Sequence, residues 1–320
     1  MQKSQDTLAD DIVREKNIIL EATSNIPKIP TVVFRTNLPV LIPAVLNSPC
    51  KTLFGIVIRF EILTTALLAP VLAPHDPYHQ NLLTRLIPPV WDSRGSWEHV
   101  LGTDHLGRDY FSRLIYGARI SLLIGFGAAL ISGLIGTIMG VMAGYFGGRV
   151  DMVVTFLITV RLSMPVVLVA LAVVAIVGGS LQVVISVLGL LLWDRFAVVM
   201  RSSTLQIRSM DYVAAAQAVG CSTKRILMTE IMPNVVNNLI VIATLEMAHA
   251  IILEAALSFL GLGVQPPLPS WGLMVSEGKD MMLFEPWLIT IPGVALFLLV
   301  LAINLMGDGV RDITAPENRN

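Results

Sequence analysis

Residues 118–143 read ARISLLIGFGAALISGLIGTIMGVMA, an apolar run whose one charge, Arg119, stands at its start. About 20 consecutive apolar residues suffice for a helix to cross a ~30 Å hydrocarbon layer. No water is available in that layer to satisfy backbone N–H and C=O groups, so a run of this length closes its hydrogen bonds within itself as a helix. Gly136, Gly140 and Gly144 recur every four residues along it, with Gly133 one position off the register. Such spacing leaves a strip of bare backbone on one face, where another helix packs at close range. That contact is expected within the chain; a passage wall or a partner's helix would use the same strip.

Working outward, five further stretches qualify as spans: 52–73, 153–177, 181–202, 235–261 and 286–306. The third span is interrupted by Arg161 and Pro165, and the proline predicts a kink. Asp151 is too far along that helix to neutralise Arg161. The first span contains Arg59 and Glu61, two residues apart and so on different helix faces. Arg59 is placed to snorkel towards the cytoplasmic end, whereas Glu61 needs a partner. The patch 38–46 (LPVLIPAVL) is too short to span and reads as a surface segment.

Composition agrees. Of 320 residues, 54% are hydrophobic and only 14% charged, where a soluble domain carries roughly a quarter charged. A soluble enzyme, a disordered chain and a disulfide scaffold are all excluded. A net charge of −1 provides no field for nucleic acid. Cys50 and Cys221 lack metal-ligand spacing and read as free thiols in a reducing compartment. The polar start has no apolar signal region, so the first span is expected to act as the signal.

Lys and Arg in short loops set orientation. The loops after spans two and four and the C-terminal tail contain Arg149, Arg208, Lys224, Arg225, Arg311 and Arg319, against Lys279 alone in the opposite short loop 262–285. Both termini are therefore expected in the cytoplasm. The expected organisation is a cytoplasmic tail over 1–51, a first span at 52–73, an outer loop at 74–117, a core at 118–308 and a cytoplasmic tail at 309–320. In a bacterium the outer loop is periplasmic and the membrane is the inner one.

Segment 203–234 is then the longest internal cytoplasmic connection. Ser209 is expected to cap a helix opening with Asp211, Gly220 to end it, Ser222 to cap a second short helix, and Pro233 to close the unit. Ala214, Ala215, Ala216 and Ala218 suit close docking to another protein.

This segment resembles the cytoplasmic EAA loop of ABC importer permeases, in which E-A-A is followed by a glycine and, further on, by L-P. Here the pattern reads Ala214-Ala215-Ala216, Gly220 and Met232-Pro233, with Ala214 in place of the glutamate and Met232 in place of the leucine. LGTDHLGRDYFSRLIYGARISLLIG (101–125), EAALSFLGLGVQPPLPSWG (254–272) and LAINLMGDGVRD (301–312) resemble the C-type permease subunit of dipeptide and oligopeptide importers. The resemblance covers about residues 70–313. It implies an all-α polytopic membrane protein with six transmembrane helices in the MetI-like, type I importer permease fold. It also implies a second homologous permease subunit, two ATPase subunits and a periplasmic substrate-binding protein as partners. ATP and Mg would sit on the ATPases. The sequence has no G-x-x-x-x-G-K-[ST] phosphate loop of its own. The same pattern also serves importers of nickel chelates and glutathione; a passive channel or scaffold would have no use for the EAA-like loop.

Glu246, His249 and Glu254 share a 140° helical face in span five, counted at 100° per residue. They either pack against polar groups, including Asn304 of span six, or line a hydrated pathway, because a charge facing lipid at mid-bilayer costs roughly 2.5–3.5 kcal/mol. No nucleophile or metal motif accompanies them, so no catalytic, cofactor or metal site is expected. His75 and His79 have i, i+4 spacing that could serve a metal, but Pro77 forbids a regular helix there, so a solvated loop is the expectation over a metal site. Asp104, Arg108 and Asp109, with Gly107 between, are expected to form a hydrogen-bonded knot at the outer mouth. The transport expectation is alternating access, with the 203–234 helices carrying ATPase motion to spans four and five.

Overall fold

In the computed structural model, residues 68–314 are described, together with Thr64. The first span, Arg59, Glu61 and Cys50 lie outside the described residues, as does the patch at 38–46. Among the described residues the elements are helices, and the order follows the apolar runs.

Asp109 accepts a hydrogen bond from the Ser112 N–H and caps α1, Tyr110–Phe146. Eight residues expected in the outer loop, 110–117, thus belong to this helix. Gly147, at φ 65°, turns the chain into α2, Gly148–Leu162. The expected kink is an 82° bend between α2 and α3, Val166–Val177. Pro165 is the N-cap of α3, a position where its missing N–H removes no helical bond. Ser180 caps α4, Leu181–Leu191, and α5, Trp193–Arg208, continues that span to the 203–234 connection. At the α4–α5 junction the Arg161 Nε donates to the Leu191 carbonyl at 2.6 Å. Arg161 therefore answers a backbone group exposed by the junction. Asp151 pairs with Arg201 instead.

The glycine strip on α1 packs inside the chain. A Cβ at Gly140 would lie 2.5 Å from the Ala197 carbonyl oxygen and 2.8 Å from the Met200 Cβ. At Gly144 it would lie 2.7 Å from the Thr204 Cβ, and at Gly136 it would meet the Trp193 carbonyl. Backbone on backbone at this range leaves no room for any side chain. The opposite face of α1 turns Phe126, Leu130, Leu134 and Ile138 outward, the apolar surface a bilayer demands.

The connection over 203–234 departs from expectation at both ends. Ser209 is the C-cap of α5, its hydroxyl donating to the Gln206 carbonyl, and Met210 precedes α6, Asp211–Ala218, without a side-chain cap. The cause is that α5 runs six residues past the span expected to end at 202. Gly220, at φ 83°, makes the turn, and Ser222 caps α7, Thr223–Arg225, as read from the sequence. The chain then passes through a π-helical stretch, Ile226–Ile231, straight into α8, Met232–Phe259. Pro233 therefore begins a helix rather than closing a unit. The wider π turn directly before it marks the place where proline interrupts the regular ladder. There the Asn234 side-chain amide donates to the Glu230 carbonyl at 2.6 Å.

The loop 262–285 holds an unforeseen helix, α9, Trp271–Lys279, capped by Ser270, before α10, Trp287–Thr314. Two contacts fix α9 on α1. The Trp271 indole donates to the Leu114 carbonyl at 2.8 Å, and its ring sits where a Cβ on Gly117 would be. Beside this lies a buried four-charge cluster. Asp104 Oδ2 accepts from Arg108 Nε at 2.6 Å and from Arg113 Nη1 at 2.5 Å; Glu277 of α9 accepts from Arg108 at 3.2 Å and from Arg113 at 2.7 Å. Asp104 Oδ1 also accepts from the N–H groups of Leu106 and Arg108. Two positive and two negative charges close the set at neutrality.

Burial alone would raise the Asp104 carboxyl, but the Arg113 and Arg108 guanidiniums and the Arg108 hydrogen bonds hold it below its ordinary value. A depressed carboxylate contributes stability that is present above the unfolded value, near 3.8, and lost as pH falls through the lower folded value. Asp104→Asn is expected to destabilise the protein by about 3–5 kcal/mol, because it strands buried guanidinium charge. Melting of the detergent-purified protein between pH 7 and pH 3 checks this: the wild type loses stability at the acid end, and the variant starts lower with a flatter profile. An unchanged melting temperature at pH 7 would contradict the role given to the cluster.

Candidate functional site

Two regions collect the residues singled out in the sequence. The first is the end of the bundle that carries α6. Val213 of α6 is fully buried and packs with Ile226, Ile231 and Val235 against Val141 and Tyr145 of α1 and Met200 of α5. One face of α6 is thereby built into a cluster shared with α1, α5 and α8. The other face is open: Ala214 and Ala215 are exposed and Ala216 is half-buried. Val219 is 84% exposed and Met228 62% exposed. Gly220 has nothing within 4 Å of its Cβ position, so its backbone conformation, not crowding, requires glycine. Met232 is half-buried and Pro233 exposed at the start of α8. Small and apolar side chains left bare on a clamped helix present a surface that suits another protein.

The second region is mid-span. The structure brings Glu246 and His249 together on α8, Glu246 Oε2 lying 3.2 Å from His249 Nδ1. A third group, not anticipated, is Arg195 of α5, whose Nη1 donates to Glu246 Oε1 at 3.2 Å. The Glu246 side chain is 1% exposed and that of Arg195 is 55% exposed. Arg195 lies inside the run 181–202, and a charge within an apolar run was the signal that could have found it. Its guanidinium faces outward from the chain, within a helix apolar enough to cross a membrane.

Glu254 is kept apart from this group. It is fully buried, accepting from Ser258 at 2.7 Å and Ser270 at 2.9 Å through Oε1. Its Oε2 lies where a Cβ on Gly272 would be 2.9 Å away. It ties the end of α8 to the cap of α9. Asn304 is half-buried on α10, and none of the described hydrogen bonds of Glu246 or Glu254 reaches it.

The expected turn at Asp104, Arg108 and Asp109 is present as a knot, but its most buried member, Arg113 at 0% exposure, and its cross-link Glu277 were not foreseen. They stand 164 residues apart in the chain. Asp109 Oδ1 lies 2.9 Å from His99 Nδ1, beside the capping bond of its other oxygen to Ser112.

Relatives place this geometry in a family. The family described as "Binding-protein-dependent transport system inner membrane component" matches residues 136–320. A di/tripeptide transport system permease protein of Pseudomonas aeruginosa is 40% identical over 266 residues, covering 83% of this chain and 88% of the relative. A dipeptide transport system permease protein of Bacillus subtilis is 39% identical, covering 83% of this chain and 81% of its own. A glutathione transport system permease protein of Pectobacterium atrosepticum is 37% identical, covering 80% and 83%. Among solved structures, an inward-facing MetNI methionine ABC transporter matches with a TM-score of 0.54 at 17% identity, covering 64% of this chain and 97% of that one; this likeness concerns the fold. With its helical spans, its MetI-like core and these relatives, the chain belongs to the inner-membrane component family of binding-protein-dependent transport systems and is a multi-pass permease component of a peptide ABC importer.

Proposed function

We propose that this chain is one of two homologous permease subunits that pass di- and oligopeptides across the inner membrane by alternating access. Both termini lie in the cytoplasm, where two ATPase subunits bind and hydrolyse ATP with Mg. A periplasmic binding protein delivers the peptide. The observation that carries this reading is the clamped yet open α6: one face is locked to α1, α5 and α8, while Ala214, Ala215 and Val219 are left bare. A motor pushing on the bare face moves three helices as one body, since packed interiors transmit displacement instead of absorbing it. A passive pore needs no such lever.

The relatives' names favour peptides. Glutathione, named for one of them, is itself a tripeptide, so that alternative stays within the same chemistry. Nickel chelates are the remaining reading of this architecture.

The route is lined in part by Arg195, backed by Glu246 and His249. A half-exposed guanidinium inside a span is disfavoured against lipid, so its open side faces the water-filled gap between the two permeases. There it offers a cation to a peptide carboxylate, while Glu246 holds it in place.

Two experiments on the assembled transporter test these assignments. Gly220→Val forces a β-branched residue to positive φ, at about 1–2 kcal/mol, whereas Gly220→Asn tolerates that region. The valine variant is expected to assemble and hydrolyse ATP with impaired peptide uptake, and the asparagine variant to retain uptake. Equal uptake by both would remove the elbow's role in coupling. Arg195→Gln is expected to lower uptake about tenfold, equivalent to ~1.4 kcal/mol, with assembly intact. Full uptake by that variant would place Arg195 off the route.

A further inference from the structure

His75, His99 and Asp109 come from three separate parts of the segment that precedes and opens α1, yet their ligand atoms all lie within 4.8 Å of one another. We propose that these three residues form a binding site for a borderline divalent transition-metal ion, Zn²⁺ foremost, outside the membrane spans.

The donor geometry supports it. His99 Nδ1 lies 2.9 Å and His75 Nδ1 3.8 Å from Asp109 Oδ1. Tetrahedral Zn²⁺ with bonds of 2.0–2.2 Å places its ligand atoms about 3.3 Å apart, between the two observed separations. The two imidazole rings lie side by side, tilted by 41°, with centroids 4.9 Å apart. His75 Nδ1 is a buried atom with no hydrogen-bond partner. A buried nitrogen of this kind is ordinarily satisfied, and a metal ion would satisfy it. Two imidazoles and one carboxylate form a donor set that suits zinc, nickel and cobalt.

The surroundings hold the ligands in place. Asp109 Oδ2 is fixed by the Ser112 N–H at 2.8 Å, which leaves Oδ1 turned to the histidines. The Ser112 hydroxyl in turn accepts from the His75 backbone N–H at 3.1 Å, so one serine orients two of the three ligands. Outer contacts of this sort preset a metal site. The His75 side chain is 37% exposed, which gives the ion an entry path and leaves room for water as the remaining ligand. His79 is not part of the set. The second group of potential ligands, Asp104, His105 and Glu277, is already neutralised by Arg108 and Arg113 and offers a cation little. A metal at the first group would staple the segment around His75 and His99 to the opening turn of α1.

The test uses the full chain, assembled with its partner subunits in nanodiscs, treated with EDTA and then equilibrated with Zn²⁺ or Co²⁺. About one equivalent of zinc is expected to remain after desalting, relative to the same complex carrying His75→Ala. Co²⁺ is expected to give the visible absorption of a nitrogen- and oxygen-ligated site. In His75→Ala the affinity is expected to fall by more than the roughly 10–100-fold that loss of an outer contact produces, while His79→Ala keeps it. No retained zinc and no cobalt spectrum in the unsubstituted complex would overturn the proposal, whatever the variants do. Equal retention by His75→Ala would overturn it as well.

Discussion

Buried charge must be answered within the fold, and in this protein that constraint is met by the closed set of Asp104, Arg108, Arg113 and Glu277. Among the described residues Arg113 is the largest side chain without solvent exposure, and an isolated guanidinium there would be strongly unfavourable. Its two carboxylate partners come from opposite ends of the described chain, Asp104 just before α1 and Glu277 on α9. The set therefore does more than balance charge. It fixes the segment before the first described span to the element between the last two, and so closes the bundle. Trp271 and Glu254 continue the same seam: the indole docks on α1 at Gly117, and the carboxylate ties the end of α8 to Ser270.

The opposite end of the bundle is organised by the absence of side chains. Gly136, Gly140 and Gly144 bring the backbone of α1 against α5, and the cluster around Val213 packs α6 with both. Arg195 sits on α5 and Glu246 on α8, two of the helices that share this cluster.

Local signals made much of this legible from the sequence. The apolar runs placed the described spans, the four-residue glycine spacing marked the tight contact, Pro165 located the bend, and Ser222 and Gly220 located the elbow. What escaped depends on partners distant in the chain. Arg113 reads as one more charge in a polar stretch until Glu277 meets it 164 residues later. Arg195 was hidden because the long apolar run 181–202 absorbs its three charges, Asp194, Arg195 and Arg201, without losing its character. The helix α9 had its own start signal, Ser270 before Trp271, but nine residues between two spans read as a loop. Pro233 is ambiguous by itself, because a proline can open a helix as well as end one, and the π turn before it marks it as the start of α8.

The central claim is that this bundle converts force applied at α6 into directed passage of a peptide. The most direct measurement is uptake of a labelled dipeptide by proteoliposomes that contain the chain with its partner permease and ATPase subunits, with the binding protein added outside. The account expects the peptide to accumulate above its external concentration only when ATP is supplied on the ATPase side. Equilibration of the peptide at the same rate without ATP, or in vesicles lacking the ATPases, would contradict it.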